Sequence, residues 1–78
     1  MKIPKETLEK IVEALPRGGQ KTIAEKTGNS ENYVSQVLNG YISVSDENVS
    51  IIYCAQAIIR DTREAEEKLK KSIDKLLN

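Results

Sequence analysis

Two glycines punctuate residues 20–40, QKTIAEKTGNSENYVSQVLNG, and constrain the fold more than any other feature of the chain. Gly28 separates two short patterns of helical periodicity, and Gly40 closes the second. Glycine enters the left-handed conformation that ends a helix without steric cost, so two helices must meet across a very short connection. The first is expected from about Gln20 to Thr27, with Ile23 and Ala24 inward. Ser30 is a favoured cap for the second, from Glu31 to about Asn39, and Glu31 complements the positive end of that helix. Two such helices enclose little core. What they do is hold a set of side chains outward.

The rest of the chain reads as helix too. Leu8, Ile11, Val12 and Leu15 fall at i, i+3, i+4 and i+7, one face of a first helix that Pro4 can open and Pro16 should stop near Leu15. Arg17-Gly18-Gly19 reads as a flexible corner. After a loop at 41–45, Ser45 can cap a last helix with Asp46 and Glu47 in its first turn. From Asp46 to Leu77 there is neither glycine nor proline, so an unbroken helix there would span roughly 48 Å. A capping box at Asp61–Glu64 would allow a break. The pairs Arg60 with Glu64, Arg63 with Glu67 and Glu66 with Lys70 are four apart and favour continuity.

Composition excludes several function classes. The 78 residues contain no histidine and one cysteine, Cys54, so the commonest general base, the commonest metal ligand and a disulfide framework are all missing. An enzyme, a metal site and a cofactor are not expected. The length implies one domain, near the lower limit for a self-sufficient core. The charged start MKIPKETLEK is unlike a secretory signal, and no apolar run is long enough for a membrane span, so the expected setting is cytoplasmic. Twelve basic and twelve acidic residues cancel, which withholds the electrostatic signature of a nucleic-acid binder.

The face of the 31–39 helix carries the functional signal. At 100° per residue Val34, Val37 and Leu38 cluster inward. Asn32 and Gln36 point away, flanked by Ser35 and Asn39, with Tyr33 at the edge. Solvated helix faces more often carry Glu and Lys, as the first and last helices do here. Asn and Gln can donate and accept at once at the N6 and N7 edge of adenine in the major groove. Candidate base-contacting residues are therefore Glu31, Asn32, Tyr33, Ser35 and Gln36. Glu31 serves equally as a first-turn acid, and Tyr33 equally as a packing residue. Candidate phosphate contacts are Arg17, Gln20, Lys21, Lys26, Asn39 and Tyr41, with the free N–H groups at the start of the second helix also favouring an anion.

A helix, a glycine turn and a second helix form a helix-turn-helix. Residues 20–40 resemble that of the phage repressor and Cro family, also called the Xre family. The resemblance rests on Gln20 opening the unit, Ala24 four residues later, Gly28 in the turn, Val34 and Val37 inward, and Leu38-Asn39-Gly40 closing it. It implies an all-α DNA-binding domain that docks its third helix in the major groove, usually as a homodimer on a two-fold symmetric double-stranded operator. It also implies phosphate contact from Gln20 and base contacts from Glu31, Asn32, Tyr33 and Gln36. The chain departs from the family in its long charged tail and in the acid at position 31. The expected organisation is a helix-turn-helix domain over 1–60 and a helical extension over 61–78. A small repressor or autoregulator is the leading functional reading, and a protein-interaction module on the same scaffold is the rival.

Residues 49–59, VSIIYCAQAII, are apolar almost all round and should be covered on more than one side. If Ile52 and Ile59 pack on the first and third helices, then Ile51, Ala55 and Ile58 need another cover. Beyond Arg60 the apolar set narrows to Thr62, Ala65, Leu69, Ile73 and Leu76, close to a coiled-coil seam. Pairing with a second copy through Ile51, Ala55, Ile58, Ala65, Leu69, Ile73 and Leu76 answers both observations. A tail folded onto its own domain is the alternative. Cys54 reads as a small core residue.

Overall fold

Pro4 and Pro16 bracket the first helix from outside. The Pro4 carbonyl accepts from Thr7 N at 3.0 Å and Leu8 N at 3.2 Å, and Leu15 turns to extended backbone (ψ 134°), as the residue before a proline must. The structure, a computed structural model, describes residues 2–77. It is an all-α arrangement of α1 (Lys5–Ala14), α2 (Gly19–Thr27), α3 (Glu31–Leu38) and α4 (Val49–Leu77), with no strand among the described residues.

The corner before α2 is tighter than its composition suggests. Gly18 takes φ +80° as the N-cap, and Gly19 is the first helical residue, with its N–H on the Pro16 carbonyl at 2.9 Å. Gly19 is buried, and a Cβ there would meet Leu15 Cδ2 at 3.2 Å. A side chain there would require Leu15 to give by a few tenths of an ångström.

Gly28 ends α2 at φ +73°, and the N–H groups of both Gly28 and Asn29 donate to the Ala24 carbonyl. Thr27 Oγ1 donates to the Ile23 carbonyl at 2.7 Å and accepts from Asn29 Nδ2 at 2.9 Å, so the turn is held from both sides. Ser30 then caps α3 as its residue type predicts, accepting from Tyr33 N at 3.1 Å.

One core joins the four helices. Leu8 and Ile11 of α1, Ile23 and Ala24 of α2, and Val34, Val37 and Leu38 of α3 are buried against Ile51, Ile52, Ala55 and Ile59 of α4. Val44 joins them from the 41–45 connection, which is therefore packed and not a loose loop. Cys54 is half-buried against this cluster. α4 lies mainly on α2, and that contact corrects an expectation. Ile51 and Ala55 are 0 % exposed within a single copy, so they need no second chain and are not seam residues.

α4 begins at Val49, three residues later than Ser45 and its following acids suggested. Residues 46–48 form a turn, with Asn48 N and Val49 N both on the Ser45 carbonyl, at 3.1 and 2.8 Å. Asp46 and Glu47 are exposed on that turn, outside the helix. The helix then runs unbroken through 61–64. The expected four-apart ion pairs do not close among the described residues. Arg60 Nε meets Asp61 Oδ1 at 3.6 Å instead, with both side chains largely in solvent, and contributes little. Beyond Thr62 every described residue of α4 is exposed, so the tail neither folds back nor covers another face.

Candidate functional site

The inward set of α3 leaves a polar outer face one helical turn long. Asn32 is exposed and Gln36 half-buried, four residues apart and so on one side of the helix. Neither carboxamide makes a hydrogen bond within the chain among the described residues, nor does the exposed carboxylate of Glu31. These three side chains are available to a partner.

The other candidates on α3 are engaged in holding it. Tyr33 is half-buried against the core, and its hydroxyl accepts from Asn48 Nδ2 at 3.3 Å. Asn39 donates from Nδ2 to the Ser35 carbonyl at 2.8 Å and to Ser35 Oγ at 3.2 Å. That amide nitrogen thus helps to close the helix. Ser35 likewise accepts from Asn39, and Tyr33 anchors α3. In these bonds the Ser35 and Tyr33 hydroxyls accept, and each keeps its own O–H.

Residues expected on phosphates sit on the surface around the α2–α3 unit. Lys21 and Lys26 are exposed on α2, Arg17 is exposed in the turn before it, and Gln20 is half-buried in its first turn. The backbone N–H groups of Gln20 and Lys21 have no carbonyl partner among the described residues, so two donors open α2 beside a lysine. Tyr41 is tied by its N–H to the Gln36 carbonyl at 2.9 Å, and its ring is 83 % exposed, directly after α3.

Asn48 is the site residue that sequence reasoning missed. It is 3 % exposed, and its amide makes three contacts. Oδ1 accepts from Ser45 N at 2.8 Å, while Nδ2 donates to the Ser43 carbonyl at 3.0 Å and to Tyr33 Oη at 3.3 Å. One side chain thereby ties the 43–45 connection and the start of α4 to the outer edge of α3. Its role rests on contacts with residues 33, 43 and 45, and nothing in the local sequence marks it. Asn48→Ala removes all three bonds and is expected to cost about 2 kcal/mol, because buried groups lose partners that water replaces only in part. Chemical denaturation with tyrosine fluorescence measures this. Leaving the midpoint unmoved would show that Asn48 is not the tie.

Among the described residues no group of acidic, cysteine or histidine side chains is arranged to hold a metal ion. No helix is long and apolar enough to cross a membrane. None of the protein-family models, curated proteins or solved structures compared with the chain matches it.

Proposed function

We propose that the chain is a sequence-specific double-stranded DNA-binding regulator, a small cytoplasmic repressor or autoregulator of the phage repressor and Cro type. It reads the major groove with α3 and acts by occupying its operator, without catalysis or a cofactor. The observation that carries this reading is the pair Asn32 and Gln36, two outward carboxamides one turn apart with no partner in their own chain. Polar side chains of this kind match base edges. Arg17, Gln20, Lys21, Lys26 and Tyr41 would hold the sugar–phosphate backbone on either side, and Glu31 would add a base contact at the start of α3.

Homodimerisation follows from weak charge. One copy offers few cations and a formal net charge of zero, so a single domain would release few counterions. Two copies on a two-fold symmetric site double the contacts and the selectivity.

The rival reading, a protein-interaction module, rests on that same zero charge and on the exposed apolar stripe of the tail. Selection of binding sites from a random duplex pool at low salt separates the two. The expected result is enrichment of a two-fold symmetric site. Affinity for it should fall with salt at a log–log slope of about −5, for about three phosphates per copy at about 0.9 each. A pool that stays flat would favour the rival.

A further inference from the structure

The exposed half of α4 carries a sequence symmetry that bears on how two copies meet. Thr62, Ala65, Leu69, Ile73 and Leu76 are spaced by three, four, four and three residues, a series that reads the same in both directions around Leu69. Leu69, Ile73 and Leu76 are 62 %, 45 % and 84 % exposed, so this stripe has no cover within the chain. α1 does not reach it: the groove between α1 and α4 is lined on α4 by Gln56, Arg63 and Glu67, which lie on a different face.

Charge changes sign between Glu67 and Lys68, just before that centre. Residues 61–67 hold Asp61, Glu64, Glu66 and Glu67 against Arg63, a net of −3. Residues 68–75 hold Lys68, Lys70, Lys71 and Lys75 against Asp74, a net of +3. Side by side in the same direction, two tails would set −3 against −3 and +3 against +3. Laid head to tail about Leu69, residues 61–67 face residues 71–77, where Lys71 and Lys75 against Asp74 give a net of +1, while Lys68 and Lys70 lie near the axis.

We infer that the tail is a docking surface for a second copy of itself in antiparallel orientation, with Leu69 of the two copies on the two-fold axis. This rests on the homodimer proposed above and adds its geometry. Ala65 then packs against Ile73 of the second copy and Thr62 against Leu76, in both directions. Every flanking layer therefore joins a smaller side chain to a larger one, which fills space evenly. A parallel pair would stack Ala on Ala and Ile on Ile. Glu66 and Lys70 of the second copy fall on the same edge of the seam, about two residues apart along the axis. The two domains leave opposite ends of the paired tails. Their Arg60 positions are about 27 Å apart along the axis, at 1.5 Å per residue, approaching the roughly 34 Å repeat of half-sites one turn apart.

Cysteine cross-linking of the full chain reads the orientation directly. In a Cys54→Ser background, a chain with Ala65→Cys is mixed with one with Ile73→Cys under mild oxidation. The expected product is the mixed covalent dimer. Ala65→Cys alone should not self-link, because antiparallel tails put its two copies about 12 Å apart along the axis, beyond disulfide reach. Self-linking of Ala65→Cys without the mixed product would overturn the orientation and leave the homodimer standing. No link in either case, with a monomer mass by sedimentation up to 100-fold above the working concentration, would sink the pairing itself. Both outcomes are read without DNA, so neither depends on what α3 binds. Leu69→Glu, at an exposed position, should halve the sedimented mass while helix content by circular dichroism stays within the loss of one frayed tail.

Discussion

Ile51→Ala is expected to cost about 3–4 kcal/mol, the largest stability loss of any single change on α4. Ile51 is 0 % exposed, on a helix that packs mainly on α2. Truncating it removes apolar burial and leaves a cavity that two well-packed helices refill only in part. A 78-residue domain has roughly 4–12 kcal/mol of total stability, so the variant should be poorly folded near 37 °C. Urea unfolding followed by circular dichroism, at two protein concentrations tenfold apart, tests more than the magnitude. A core residue lowers the midpoint equally at both concentrations. A seam residue would lower it through dissociation, and its effect would change with concentration. Leu69→Ala is the contrast: at 62 % exposure it should leave the stability of an isolated copy within about 0.5 kcal/mol.

The second large effect is on binding. Asn32→Ala combined with Gln36→Ala should weaken binding to the selected duplex by at least about 30-fold, since each bidentate amide–base pair carries about 1–3 kcal/mol of discrimination. Binding to an unrelated duplex should hardly change. The salt slope should stay the same too, because neither residue supplies a cation to a phosphate. Folding should be unaffected or slightly improved: neither amide bonds within the chain, and alanine is the better helix former. Lys21→Ala is the matched control, expected to lower affinity for every duplex and to flatten the slope by about one per copy. Should the double variant still select the same site with the same affinity, α3 is not the reading helix.

Much of this architecture was legible in the chain. Helix boundaries at Pro16, Gly28 and Ser30 follow from local sterics and local hydrogen bonding, which act within a few residues and need no knowledge of the rest. The inward set Val34, Val37 and Leu38 follows from helical period alone. So does the outward placement of Asn32. The continuity of α4 follows from the absence of any breaker between 49 and 77.

Elsewhere local rules met competition. Ser45 suggests a helix from residue 46, but the turn at 46–48 is set by what lies within reach of the Asn48 amide, namely Ser43, Ser45 and the Tyr33 hydroxyl fifteen residues back. Arg17-Gly18-Gly19 reads as a flexible corner in sequence, yet Gly19 is a buried helical residue packed beside Leu15. Ile51 and Ala55 were read as needing a second copy because 49–59 is apolar all round. Period cannot say how many neighbours surround a helix, and here α2 supplies the missing cover.

By itself, then, the sequence determined where helices start and stop and which side of each is apolar, because those depend on backbone sterics and on the 3.6-residue turn. Only the tertiary structure decided which apolar residues are spent inside one copy and which remain outside it. It alone divided the α3 face into side chains bonded within the chain, such as Tyr33 and Asn39, and side chains with no such bond among the described residues, such as Asn32 and Gln36. That division depends on contacts between residues far apart in the chain, which no local rule encodes.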